Sequence, residues 1–297
     1  LLAKTERSGE YLIEEESWLA AVEWADLKGA DIIHSSLGYT WQRYWTYQMD
    51  GKTTLVSKAA AMASAKGMLV VVSAGNEGEL EWRIISAPAD SDSVLAVGAI
   101  DPQTGLQAAF SSFGPTADKR LKPDVMAFGS CIVPTANGLT ISEGTSFAAP
   151  LVSGFAACLL QHNPQLTPFE LRKLIRESGH LYPYFDYSHG YGIPQADHFF
   201  NPPQLGASDS FLITRQTKTH TSFVCKMAER DTGQFDPEDP TNFLFYHISN
   251  AKGELLQYRI IMPHRATYDN GKVIYESIDP QKLSNWDEFN APEIESW

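Results

Sequence analysis

Two uninterrupted apolar runs constrain the fold of this chain more than any other feature. Met68-Leu69-Val70-Val71-Val72 and the run from Val94 to Ile100 lack the alternation of a half-solvated strand. A strand that is apolar on both faces must be covered on both faces. That is the pattern of a parallel sheet held between helices. The intervening segments agree. Trp18, Leu19, Val22 and Ala25 recur at helical spacing and stop at Gly29, with Glu14-Glu15-Glu16 ahead of them where a helix dipole favours negative charge. A second helix is predicted from Thr53 or Thr54 to Gly67, with Leu55, Ala59, Met62 and Ala63 on one face. Asp31-Ile32-Ile33-His34-Ser35-Ser36 reads as a buried strand, residues 124–128 as another, and residues 1–5 as a short one. The expected class is α/β, with a mostly parallel sheet and helices on both faces.

In such sheets the functional groups gather beyond the carboxyl ends of the strands. Ser36-Leu37-Gly38 and Ser73-Ala74-Gly75-Asn76 both fall there. The segment from Glu143 to Gly154, Glu-Gly-Thr-Ser-Phe-Ala-Ala-Pro-Leu-Val-Ser-Gly, then reads as a loop that delivers Ser146 to the mouth of a small-residue helix. The positive end of the helix dipole suits a serine that becomes an anionic nucleophile. Pro150 is expected in the first helical turn, where a missing N–H costs nothing. Taken alone, Gly-Thr-Ser is also an ordinary helix cap. Thr167-Pro168-Phe169-Glu170 is a capping box that opens a further helix with Leu171, Leu174 and Ile175.

A length of 297 residues allows one large domain, or one domain plus a small appendage. Composition changes after Asn201-Pro202-Pro203. The helical period fades and strand-like runs follow at residues 211–213, 222–225, 243–246 and 255–261, with a turn at Asn250-Ala251-Lys252-Gly253. The expected division is 1–203 and a β-rich 204–297 that ends in an acidic surface tail from residue 285. A net charge of −13 argues against a nucleic-acid partner and disfavours an anionic membrane. No apolar run approaches the roughly 20 residues of a membrane span. Cys131, Cys158 and Cys225 have no metal-knuckle spacing, and Cys158 reads as a small buried hydrophobe.

The run Gly-Thr-Ser-Phe-Ala-Ala-Pro-Leu-Val-Ser-Gly resembles the nucleophile motif of the subtilisin-like serine proteases, the subtilases. Ser73-Ala74-Gly75-Asn76 resembles their oxyanion segment, and Ser36-Leu37-Gly38 the strand that binds substrate backbone beside the primary specificity pocket. Phe110-Ser111-Ser112-Phe113-Gly114-Pro115, Lys122-Pro123-Asp124-Val125 and Tyr191-Gly192-Ile193-Pro194 follow in the family's order. The resemblance covers about residues 1–200. It implies a serine endopeptidase with Ser146 as nucleophile and Asn76 and the Ser146 backbone N–H as oxyanion donors. Ser36, Leu37, Gly38, Ser73, Ala74, Gly75 and Thr145 would line the substrate site. A polypeptide substrate, secretion or a cell-surface location, and Ca²⁺ also follow from the resemblance, although no D-x-D-x-D-G loop assigns a metal ligand.

The departure is as specific as the match. The family carries its catalytic Asp and His upstream of the serine, and neither motif precedes Ser146 here. His34 is the one histidine before the serine, and it is expected to be a core or near-core residue. The expectation is a subtilase whose N-terminal part is cut off or carried on another chain, nearly inert by itself. The alternative is a non-catalytic subtilase-fold module that binds peptides. Asp231-Thr232-Gly233 is read as a loop turn, and His189-Gly190 is out of order for a base. Ser73-Ala74-Gly75 and Leu37-Gly38 predict an open, mostly apolar slot for large apolar side chains. The aromatic loop of Trp41, Tyr44, Trp45 and Tyr47 is either a rim for extended peptide or surface packing.

Overall fold

The computed structural model describes residues 1–7, 11, 13–41, 43–102, 104–136, 138–183 and 185–200, and beyond them the backbone of six strands. Contacts divide the chain into two units, Leu1–Asn201 and Pro202–Trp297. In the first unit four parallel strands lie in the order β1-β2-β3-β4: β1 Ile32–Ser35, β2 Leu69–Ser73, β3 Leu95–Ile100 and β4 Val125–Phe128. The side chains of β2 alternate between two cores. Val70 and Val72 pack with Trp18 and Val22 of α1 (Ile13–Leu27) and with Val56, Ala59, Ala60 and Ala63 of α2 (Leu55–Ala65). Leu69 and Val71 face Ala148, Ala149, Val152 and Ala156 of α3 (Thr145–His162) and Leu171 and Ile175 of α4 (Pro168–Glu177). Every residue of β2 and β3 is buried, which is why those runs carry no alternation.

Local chemistry sets the helix ends. Thr54 accepts the Ser57 N–H at the start of α2, and Thr167 and Glu170 form the capping box that opens α4. A buried charge network ties the β3–β4 connection to α4. Lys122 Nζ lies 2.7 Å from Asp124 Oδ2 and donates to the Val94 carbonyl, and Arg176 pairs with the other Asp124 oxygen.

Several expectations are corrected. Residues 1–5 form no strand. The acidic triplet lies inside the first turn of α1, where the buried Glu14 and Glu15 receive Arg43 at 2.8 and 3.3 Å. On α2, Leu55 and Met62 are exposed, because Val56, Ser57 and Ala60 complete the packed face. β1 lies at the sheet edge, so it is half-buried and His34 is exposed. α3 covers the sheet with one face only. Pro150, Leu151, Gly154, Ala157 and Cys158 are exposed, so Cys158 is not a core residue. The stretch before Gly144 is an antiparallel hairpin, β5 Ser130–Thr135 and β6 Gly138–Glu143, rather than a loop. Its Ile132, Leu139 and Ile141 are exposed.

In the second unit, β7 (Phe211–Arg215), β8 (Thr221–Lys226), β11 (Thr267–Asp269) and β12 (Lys272–Ile274) form an antiparallel sheet in the order β11-β12-β8-β7. β9 (Leu244–Ser249) and β10 (Leu255–Ile261) form an antiparallel pair. The Asn250–Gly253 turn, Asp231-Thr232-Gly233 and the acidic tail lie outside the described residues. Among the described residues no helix is long and apolar enough to cross a membrane.

Candidate active site

The carboxyl ends of β1 and β2 converge on the N-terminus of α3. Gly144 caps that helix, Thr145 is its first residue and Ser146 its second. Pro150 is therefore the sixth helical residue, not a first-turn residue as the sequence suggested. A proline there cannot donate to the carbonyl four residues earlier, and that carbonyl belongs to Ser146. Ser36 fills the gap, its Oγ donating to the Ser146 carbonyl at 2.9 Å. In return the Ser146 hydroxyl, half-buried, points at the Ser36 carbonyl at 3.4 Å. The helix break and the strand end are thus locked together at the serine.

Thr145 is buried and orients Asn76. Its backbone N–H and its hydroxyl donate to Asn76 Oδ1 at 2.8 and 2.9 Å, and the hydroxyl accepts the Gly75 N–H at 3.3 Å. With Oδ1 held by two donors, the amide is turned so that Nδ2 meets no acceptor among the described residues. The Ser146 N–H, in the first helical turn, has no helical partner either. The two donors lie on the same side of Gly144, where an added Cβ would be 3.4 Å from Asn76 Nδ2 and 3.7 Å from both Asn76 Oδ1 and Ser146 N.

Gly38 and Gly75 flank the neighbouring slot. A Cβ at Gly38 would meet Ser86 Oγ at 2.5 Å, and one at Gly75, where φ is +115°, would meet Glu77, Ser112 and Ser86. Ser86 is fully buried and bonds the Ala74 carbonyl. The slot between Leu37-Gly38 and Ser73-Ala74-Gly75 therefore has a hydroxyl against its glycines, and Glu77 accepts from Ser112 at 3.0 Å beside it. Ser86 and Glu77 were missed because nothing in the sequence pairs residue 86 with residue 38.

No imidazole with a described side chain reaches Ser146. His34 sits 3.0 Å from Ser36 Oγ through Nε2 and 3.2 Å from Ser153 Oγ through Nδ1. Although the residue is exposed, partial desolvation of its ring lowers its pKa. His189 is buried, with Nδ1 2.9 Å from Asp186 Oδ2 and Nε2 accepting the Gln107 N–H at 2.9 Å. Its lone pair is already in use, which agrees with setting it aside as a base. No cluster of three or more metal-ligating side chains occurs among the described residues.

A serine on a helix N-terminus at the edge of a parallel α/β sheet, with an oriented amide beside it, places the chain among serine hydrolase folds. The family is specific: the subtilase family model matches residues 5–192, and the chain belongs to that family. It is 37% identical over 157 residues to subtilisin DY of Bacillus licheniformis, covering 52% of this chain and 51% of that protein. It is 34% identical over 168 residues to the serine protease AprX of Bacillus subtilis, covering 49% of this chain and 37% of AprX. Among solved structures it resembles the self-cleaved protease domain of PatA, with a TM-score of 0.53 and 26% identity, covering 67% of this chain and 71% of that one. The chain spans about half the length of subtilisin DY and 37% of AprX.

Proposed function

We propose that this chain carries the nucleophile half of a serine endopeptidase site. Ser146 attacks the scissile carbonyl. Asn76 Nδ2 and the Ser146 N–H receive the oxyanion, and Ser36, Leu37, Gly38, Ser73, Ala74 and Gly75 hold substrate backbone beside them, with Thr145 bracing Asn76. The observation that carries this reading is the Asn76 amide, oriented by Thr145 on the same side of Gly144 as the Ser146 N–H. The substrate is a polypeptide, and the protein acts in a secreted or cell-surface setting.

The base and its carboxylate come from a segment other than those described. The Ser146 hydroxyl bonds a backbone carbonyl, and the described imidazoles are engaged elsewhere. The edge of β1 and the exposed face of α3 offer such a segment a seat next to Ser36. By itself the chain is expected to be nearly inert, since the oxyanion donors and binding alone retain roughly 10³–10⁴ over water when a triad is dismantled. A non-catalytic peptide-binding module is the second reading, favoured by the same engaged imidazoles.

The deciding experiment is intact mass and peptide mapping after a fluorophosphonate probe. The chain is tested alone and mixed with the Asp- and His-bearing N-terminal part of a subtilase. A stoichiometric adduct on Ser146 in the mixture supports the endopeptidase reading. A folded chain that stays unlabelled in both leaves only the binding module.

A further inference from the structure

A second concave surface has a lining that does not include Ser146. Trp41, Tyr44, Trp45 and Thr46 form one wall of a groove of about 690 Å³, and Leu80, Glu81 and Trp82 form the other. The walls are the loops that continue from Ser36-Leu37-Gly38 and from Gly75-Asn76, so the groove extends the two segments that flank the serine. The first loop is fixed rather than trailing. Arg43 pairs with the buried Glu14 and Glu15 and lies 4.6 Å over the Tyr39 ring, and the Tyr44 hydroxyl donates to Glu15 at 2.6 Å. That anchor sets the loop on the first turn of α1 and holds Trp41 and Trp45 out, 64% and 71% exposed. Rings that could have packed inward are instead presented to solvent by a buried ion pair.

The other wall supplies a polar signal. Trp82 is 7% exposed, yet its indole Nε1 has no hydrogen-bond partner. A buried N–H without an acceptor is costly, and the side chain that carries it belongs to the wall of this groove. Among the described lining residues Glu81 is the one charged group.

We propose that this groove binds an extended, proline-rich and basic stretch of polypeptide, remote from the scissile bond. It rests on the peptidase reading for the identity of its occupant. A polyproline-type strand offers unsatisfied carbonyls at every residue for the Trp82 N–H, and flat rings that fit between rigid aromatic ridges. Glu81, on a chain of net charge −13, selects lysine or arginine over acidic side chains. A sugar would need more polar partners than Thr46, Glu81 and one indole N–H provide.

The test uses the full chain as Ser146→Ala, so that binding is read without cleavage. The probe is a fluorescein-labelled twelve-residue peptide of repeating Ala-Pro-Pro-Lys, followed by anisotropy. An Ala-Pro-Pro-Glu peptide and a Gly-Ser peptide of equal length are the comparisons. The lysine peptide is expected to bind best. Trp45→Ala, at an exposed position that does not threaten folding, is expected to weaken it about tenfold or more. Trp82→Phe, which keeps a ring and removes the N–H, should also weaken it. Glu81→Gln should abolish the preference for lysine over glutamate. Equal binding of the Gly-Ser peptide, unchanged affinity in Trp45→Ala, or binding of an oligosaccharide such as cellohexaose in place of the peptide overturns the proposal. Labelling of unsubstituted Ser146 by the fluorophosphonate is a separate readout. A labelled serine with a silent groove sinks this inference and leaves the peptidase reading standing.

Discussion

The hydrogen bond from Ser36 to the Ser146 carbonyl exists because Pro150 cannot supply one, and that dependence can be measured. Ser36→Ala leaves a half-buried carbonyl without a donor, at a cost of about 1–2 kcal/mol. Pro150→Ala restores an N–H four residues after that carbonyl, so the helix satisfies its own acceptor. In the Pro150→Ala background the same Ser36→Ala change should cost under about 0.5 kcal/mol. The coupling is then about 1 kcal/mol, beyond the roughly 0.3–0.5 kcal/mol within which independent sites add. The bond between Ser36 and His34 is lost equally in both backgrounds and cancels. Because the chain has two units, a single melting curve is ambiguous. Urea-dependent hydrogen exchange of peptides from α3 reads the relevant unit. Equal costs of Ser36→Ala in the two backgrounds would refute the argument that proline created the need for the serine.

Asn76→Ala should leave folding intact and lower turnover of the assembled enzyme by roughly 10²–10³, the magnitude established on the asparagine of a subtilisin itself, read as kcat at unchanged KM. Gly38→Ala drives a Cβ against Ser86 Oγ and should cost about 1–3 kcal/mol in unfolding free energy, with Ser86→Gly recovering most of it. Asp124→Asn strands the buried Lys122 ammonium and should destabilise by about 3–5 kcal/mol. Burial pushes the Asp124 carboxyl up, but Arg176 and then Lys122 outweigh it and hold it down at about 2. Its stabilisation is thus present above about pH 4 and lost as pH falls towards 2, a window that Asp124→Asn should lack in acid titrations. Asp90 runs the other way. Burial raises its carboxyl to about 6 against the bonds from Ser57 and Gly51, so its contribution is present below about pH 4 and lost as pH rises through 6. Asp90→Asn should flatten stability across that interval.

The sequence by itself determined the α/β class and the strand-end location of the site. Both follow from backbone and burial rules that act locally. A run such as Leu69–Ser73 can satisfy its side chains only between two cores, and a parallel sheet brings its carboxyl ends to one edge. Ser146 at the start of α3 and Asn76 just past β2 are positions that the small-residue helix pattern and the apolar run already locate. The structure alone decided what those residues touch. That Ser36 answers the carbonyl freed by Pro150, that Thr145 turns the Asn76 amide, that Ser86 underlies Gly38 and that Arg43 ties the aromatic loop to Glu14 and Glu15 are contacts between residues 28 to 110 positions apart in the chain. Periodicity carries no information at those separations. The edge position of β1, which exposes His34, and the single covered face of α3, which exposes Cys158, depend on which neighbours are present, and composition is silent on neighbours. The local chain chose the elements, and packing between distant segments chose the chemistry they present.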